Sequence, residues 1–149
     1  MSPGEVKVIE TNIDDMSGEI FGYIMERLME NNALDVWYTP VYMKKNRPGV
    51  VISVLCSPED EKALADILLN ETTTLGVRSY TAYRSVLNRQ WKTVHTKYGD
   101  IRIKIAQDGN TYKAAPEYED CKKAAERYGV SFREVYDAAR LAYERMKCK

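Results

Sequence analysis

Apolar residues recur along this chain with two periods, and the switching between them predicts the elements. Over 6–13 they fall on both faces, Val6 and Val8 against Ile9 and Ile13, as in a strand with neighbours on both sides. After Asn12-Ile13-Asp14-Asp15, a helix begins at Ser17-Gly18. Its residues Phe21, Ile24, Met25, Leu28 and Met29 keep the spacing of one apolar face, and Asn31-Asn32 ends it. Two runs rich in β-branched and aromatic residues, 33–38 and 50–56, predict strands, with a polar hairpin loop over 39–49 between them. Ser57-Pro58-Glu59-Asp60 is a helix start, with an N-cap, proline at the first helical position and acids in the first turn. Ala63, Leu64, Ile67 and Leu68 form its buried face. Glu71-Thr72-Thr73-Thr74-Leu75-Gly76 breaks it, and 77–87 resumes as a strand.

The order βαββαβ predicts an α+β chain whose first part, 1–90, is a ferredoxin-like sandwich with its first strand central and beside the third. The rest, 91–149, reads as a β-hairpin plus two helices packed on it, within a single compact domain overall. In the hairpin over 91–107, a Gly99-Asp100 turn would pair Tyr98 with Ile101, Thr96 with Ile103 and Val94 with Ile105. That puts Ile101, Ile103 and Ile105 on the buried face, with His95, Lys97, Arg102 and Lys104 opposite. The sole histidine then sits among cations, which suits a surface residue better than a metal ligand. Past an Asp108-Gly109-Asn110 turn, Pro116 opens a helix whose first turn carries Glu117, Glu119 and Asp120, and Gly129 closes it. Ser131 and Glu134 form a capping box for a last helix with a thin stripe of Val135, Ala138, Ala139 and Ala142.

Composition narrows the function classes. Twenty-two basic and twenty-two acidic residues cancel in 149, so no overall charge draws the chain to nucleic acid or an anionic membrane. No apolar run approaches the roughly 18–20 residues needed to span a bilayer, and no secretory leader is visible, so the expected location is the cytoplasm. Cys56, Cys121 and Cys148 are odd in number and widely spaced, as reduced thiols rather than a disulfide framework or zinc site.

The candidate chemistry lies at element ends. Lys44, Lys45 and Arg47, three cations within four positions on a hairpin loop, suit an anion such as phosphate, although a solvated turn would also carry them. Asp14-Asp15 either cap the following helix or hold a hard divalent ion beside a polyphosphate. Thr72-Thr73-Thr74 either only end a helix or, with Arg78, supply donors to phosphate oxygens. Glu117, Glu119 and Asp120 suit a helix dipole as they stand. No residue declares itself catalytic.

Taken together, Thr11-Asn12-Ile13-Asp14-Asp15-Met16, Tyr42-Met43-Lys44-Lys45-Asn46-Arg47-Pro48-Gly49, Glu71-Thr72-Thr73-Thr74-Leu75-Gly76-Val77-Arg78 and Pro116-Glu117-Tyr118-Glu119-Asp120-Cys121 resemble motifs of the LarC family. The resemblance runs along nearly the whole chain and matches the C-terminal, CTP-binding part. It implies a CTP-dependent nickel chelatase of the lyase class, which inserts Ni2+ into pyridinium-3,5-bisthiocarboxylic acid mononucleotide to form the nickel-pincer cofactor. It further implies CTP bound with Mg2+ or Mn2+, the metal at Asp14 and Asp15, and the phosphates at Lys44, Lys45, Arg47, Thr72, Thr73, Thr74 and Arg78. Asn12, Asn46, Glu117, Glu119 and Asp120 are the further contacts, an acid among them accepting from the cytosine amine. The implied partners are a histidine-rich N-terminal half and further copies of the chain, as a trimer or hexamer, without membrane or nucleic acid. Two other classes compete: a non-catalytic nucleotide-binding module, and an RNA-binding ferredoxin-like domain. The zero net charge and the lack of paired exposed aromatics weigh against the second.

Overall fold

Strand β1 (Pro3–Ile13) organises the first half of the chain. In the computed structural model, which describes residues 3–147, two compact units meet in sequence at 85/86. In the first, the elements after β1 are α1 (Gly18–Glu30), β2 (Asp35–Met43), β3 (Arg47–Cys56), α2 (Glu61–Glu71) and β4 (Arg78–Ser85). The sheet order is β2-β3-β1-β4 with every pair antiparallel, so β1 is central and beside β3, as expected. One face of the sheet carries Ile9, Ile13, Ile52, Val54 and Cys56, and Ile24 and Leu28 of α1 and Leu64 and Leu68 of α2 pack onto it. Each fully buried Ile or Leu of this core contributes about 1.5–3 kcal/mol. The pleat sends Glu10, Asn12, Ser53 and Arg78 to the other face.

The second unit has β5 (Asn88–Thr96), β6 (Gly99–Asp108), β7 (Thr111–Pro116), α3 (Tyr118–Tyr128) and α4 (Phe132–Lys147). Its three strands are antiparallel in the order β5-β6-β7. Val94, Ile101, Ile103 and Ile105 face Cys121, Ala124 and Ala125 of α3 and Val135, Ala139 and Tyr143 of α4. Gly129 ends α3 at φ +64°, a left-handed position that glycine takes without steric cost. The chain is thus α+β, with four α-helices and two antiparallel sheets among the described residues.

Several expectations are corrected. The polar hairpin is much shorter than 39–49: β2 runs to Met43 and β3 starts at Arg47, leaving a turn of Lys44–Asn46. Pro48 and Gly49 are strand residues, and Gly49 has a reason to be glycine. A Cβ there would lie 2.6 Å from the Met43 sulfur and 2.8 Å from the Ile13 carbonyl oxygen. Met29 is half exposed and lies outside the core. In the β5–β6 hairpin the turn is Lys97-Tyr98, so Thr96 pairs with Gly99 and Val94 with Ile101. The partner of each β6 residue shifts by four positions along β5. An even shift preserves the faces, and the three isoleucines remain buried. Strand β7 is an addition where the sequence predicts only a turn before a helix, and α3 starts at Tyr118 with Glu117 as its N-cap. His95 has an acid beside it, Asp100, with Nδ1 2.5 Å from Oδ1. Cys56 and Cys121 are free and buried, and Cys148 lies outside the described residues. No described helix is long and apolar enough to cross a membrane.

Candidate functional site

Antiparallel order decides what meets what in the first unit. Strands β1 and β2 end where β3 and β4 begin, so the β1–α1, β2–β3 and α2–β4 connections emerge at one end of the sheet. Three of the four polar clusters expected from sequence therefore share that end: Asn12 to Asp15, Lys44 to Arg47, and Thr72 to Arg78. Glu117, Glu119 and Asp120 belong to the second unit.

The Lys44–Asn46 turn is strained, with Lys45 at φ +61° and Asn46 at φ +58°. A lysine in the left-handed region costs roughly 1–2 kcal/mol, whereas asparagine is tolerated there, so Lys45 is the residue held against its local preference. Lys44, Lys45 and Asn46 are exposed. Among the described residues neither lysine has an ion-pair partner. Arg47 donates from Nη1 to Oδ2 of Asp14 at 3.3 Å, and Asp14 is mostly covered. Asp15 accepts from the Thr73 hydroxyl at 2.6 Å. Neither acid caps α1: its N-cap is Ser17, which makes no side-chain cap bond.

The threonine loop is tied to β1. Thr11 is a buried polar residue on the helix side of the sheet, and its hydroxyl lies 2.5 Å from that of Thr74. The Gly76 carbonyl lies within reach of both, 3.0 Å from Thr11 Oγ1 and 2.9 Å from Thr74 Oγ1. One hydroxyl donates to that carbonyl while the other donates to its neighbour. Thr72 donates to the Leu68 carbonyl of α2 at 2.6 Å and accepts from the Thr74 amide at 3.2 Å. The loop hydroxyls thus shape the loop, and Leu75 at its tip is fully exposed. Arg78 lies across from Glu10 in the β1–β4 ladder. Its guanidinium donates from Nε to Glu10 Oε2 at 3.1 Å and from Nη1 to Asn12 Oδ1 at 2.6 Å. Glu10 also accepts from Ser53 at 3.1 Å, which fixes the orientation of Arg78.

Sequence reasoning missed Glu10 and Thr11. Glu10 lies on a central strand between apolar neighbours Val8, Ile9 and Ile13, but its partner is visible only once the β1–β4 register is known. The geometry collects two unpaired cations, a third cation held by an acid, and two adjacent carboxylates with one oxygen each left over. That donor set fits a polyphosphate and a hard divalent ion that takes its remaining ligands from phosphate and water. Among the described residues no group of three His, Cys, Asp or Glu side chains could hold a metal without such help.

In the second unit the acids face their own cations. Asp120 accepts from the Arg102 amide at 3.0 Å and from its Nε and Nη2 at 2.8 Å each. The guanidinium holds the Asp120 carboxyl below its ordinary range. Glu117 accepts from Trp91 Nε1 at 3.2 Å and pairs with Lys104 at 3.3 Å, and both bonds push its pKa down. Glu119 is exposed.

Residues 1–136 match the model of a family described as nickel insertion protein. The chain belongs to that family. It is 56% identical over 138 residues to the pyridinium-3,5-bisthiocarboxylic acid mononucleotide nickel insertion protein of Acetivibrio thermocellus, covering 93% of this chain and 34% of the relative. Against the protein of the same description from Lactiplantibacillus plantarum it is 42% identical over 141 residues, covering 95% and 34%. Among solved structures it is similar to LarC2, the C-terminal domain of a cyclometallase involved in the synthesis of the NPN cofactor of lactate racemase, in its apo form. The TM-score is 0.91 at 41% identity, over 96% of this chain and 99% of that one. A second similar structure is protein MK0293 of Methanopyrus kandleri, with a TM-score of 0.64 at 25% identity over 95% and 90% of the two chains. The chain therefore corresponds to the C-terminal domain of the LarC family, and it spans about a third of the length of the curated relatives it matches.

Proposed function

We propose that this chain is the nucleotide-binding part of a CTP-dependent nickel insertion protein, and that the loop end of its first sheet holds the triphosphate. The carrying observation is the pair of lysines, Lys44 and Lys45, without an ion-pair partner among the described residues and held on a turn with Lys45 at positive φ, at the same sheet end as Asp14, Asp15 and the threonine loop. In this reading Lys44, Lys45 and Arg47 clamp the phosphates, and Thr72, Thr73, Thr74 and Arg78 line the approach. Asp14 and Asp15 hold Mg2+ or Mn2+ against the phosphate oxygens, where two bare carboxylates would otherwise repel about four negative charges. Asn12 and Asn46 flank the clamp. Such an ion supplies charge neutralisation at the phosphates. Nickel is the cargo, and the sulfur atoms of a bisthiocarboxylate are soft enough to receive it. The strand order of the first unit supports reading it as a ferredoxin-like sandwich.

Nickel delivery by the whole protein, its lyase activity, its place in the cytoplasm and its assembly as a homo-oligomer, trimer or hexamer, belong to the same proposal. Coverage of a third of the relatives' length favours one second reading, a binding module whose chemistry lies in the remaining two thirds. Calorimetry with CTP and Mn2+ tests the binding site: the parent chain binds, and the variant with Lys44, Lys45 and Arg47 all changed to Ala does not. Equal affinity in both would remove the reading. Nickel insertion by this chain alone, against the chain supplied with the rest of a full-length relative, separates enzyme from module.

A further inference from the structure

Thr11 occupies a position that burial alone would give to an aliphatic residue. It lies between Ile9 and Ile13 on the face of β1 that α1 and α2 cover, and it is 2% exposed. A buried hydroxyl costs free energy unless it is bonded, and valine has the same branched shape without that cost. Both partners of this hydroxyl, Thr74 Oγ1 at 2.5 Å and the Gly76 carbonyl at 3.0 Å, belong to the threonine loop. That loop has little else to hold its middle. Thr72 ties one end to α2 and Val77 packs on the core at the other, while Thr73, Leu75 and Gly76 between them are exposed. Thr73, next to the fixed Thr74, donates to Oδ1 of Asp15 at 2.6 Å. Asp15 stands four residues after Thr11, so Thr11, Thr74, Thr73 and Asp15 close a ring that begins on β1 and ends just past it. The strand would survive without the hydroxyl, because Thr74 also donates to the Gly76 carbonyl, at 2.9 Å.

We infer that Thr11 is a positioning residue for the loop end of the first sheet. Its hydroxyl sets the threonine loop before any ligand arrives and, through Thr73, fixes the carboxylate of Asp15. The inference rests on the reading of this end as the triphosphate site, and it states how that site is kept ready. Thr11 is buried and acts only through the loop. A loop set in advance need not be ordered on binding, and such ordering otherwise subtracts from affinity. With one Asp15 oxygen held by Thr73, the other keeps a fixed direction for a divalent ion. Breaking the latch should therefore weaken the metal-dependent part of binding and spare the rest. A side chain that served the core alone would change stability without regard to the ion.

The test compares the parent chain with Thr11→Val, which keeps the shape and loses the hydroxyl, and Thr11→Ser, which keeps the hydroxyl. Calorimetry measures CTP binding with Mn2+ and in EDTA, and urea unfolding verifies each fold. Thr11→Val should bind CTP with Mn2+ about tenfold more weakly, as a site that must first be ordered does, and bind CTP in EDTA like the parent. Thr11→Ser should restore the Mn2+-dependent affinity. Amide hydrogen exchange reads the loop directly, because the Thr74 and Gly76 amides bond the Thr72 and Thr74 hydroxyls. In the parent both should be protected without ligand and change little with CTP; in Thr11→Val they should exchange fast until CTP and Mn2+ are added. Parent amides that are unprotected without ligand overturn the inference, even if Thr11→Val does not fold. So does a Thr11→Val that binds like the parent, that loses affinity equally in EDTA, or that Thr11→Ser does not improve on. Failure of the parent to bind CTP strikes the triphosphate reading and this inference with it, whereas normal binding by Thr11→Val strikes the inference alone.

Discussion

Both units of this chain carry cations beside acids, and they treat them in opposite ways. In the second unit Arg102 is gripped by Asp120 through three hydrogen bonds, and Lys104 by Glu117, so each charge is satisfied within the fold. In the first unit Lys44 and Lys45 are raised on a strained turn with no partner among the described residues, and only Arg47 is tethered, by one bond to Asp14. A self-satisfied pair stabilises structure, because a ligand would have to displace it. An unsatisfied pair on a costly turn is better suited to capturing an anion. The same residue types thus read as architecture in one unit and as a site in the other.

The largest expected effect lies in the loop. Lys44→Ala, Lys45→Ala and Arg47→Ala should each cost about 1–3 kcal/mol of CTP binding, and the triple variant should bind at least about a hundredfold more weakly. Stability should hardly move, since exposed charges add little to it. A triple variant that binds normally but unfolds earlier would invert the comparison and make this loop the structural one.

Asp120→Ala should have the opposite signature. It strips the Arg102 amide and guanidinium of their acceptor, and we expect a loss of about 1–3 kcal/mol in urea unfolding with CTP affinity unchanged. The pH dependence has a definite sign. The Asp120 carboxyl is held below its ordinary range in the fold, chiefly by the bond from Arg102, so the unfolded chain takes up its proton first. Its contribution is therefore full above the ordinary aspartate range, near pH 4, and is lost as pH falls through the depressed value. Unfolding curves from pH 6 to pH 2 should fall more steeply for the parent than for Asp120→Asn. Parallel curves would show that the ion pair contributes nothing.

How much of this contrast could be read from sequence depends on what each feature rests on. The two-faced apolar pattern of β1 and the helical stripe around Ile24 and Leu28 identify the first core, because burial leaves a periodic trace. The loop clusters were legible as polar runs at element ends, but that three of them share one end of the sheet follows from the antiparallel strand order. Strand β7 left no trace, since Thr111 to Ala115 are exposed and their side chains show no alternation of apolar and polar positions. The β2–β3 turn was drawn too long because Tyr42 and Pro48 continue a ladder that their side chains do not advertise. Links such as Thr11 with Thr74, or Glu10 with Arg78, join residues more than sixty positions apart and exist only once the register is set.

A smaller effect should come from the carboxylates at the loop. Asp14→Asn with Asp15→Asn removes two charges but preserves shape. CTP should raise the parent's melting temperature more with Mn2+ than in EDTA, and the double variant should lose about tenfold of the metal-dependent affinity. Metal-free CTP, no longer repelled, should bind the variant at least as well as the parent. Identical behaviour of both proteins with and without Mn2+ would leave these acids as no more than partners of Arg47 and Thr73.

The smallest effect expected is at His95, and it isolates burial as the variable. The ring nitrogen lies 2.5 Å from Asp100 Oδ1, as short as any bond to Asp120, yet the two side chains are 84% and 64% exposed. Water and salt screen such a pair, and no backbone amide depends on either group. Arg102 with Asp120 differs in just these respects: the Asp120 side chain is 16% exposed and also satisfies a main-chain donor. Distance alone would rank the histidine pair equal or higher, and exposure ranks it last. His95→Ala should accordingly unfold at the parent's urea midpoint, at low salt and at 1 M alike, while Asp120→Ala shifts it in both. A histidine variant as destabilised as the aspartate one would mean that proximity, not burial, separates the structural ion pairs from the idle ones.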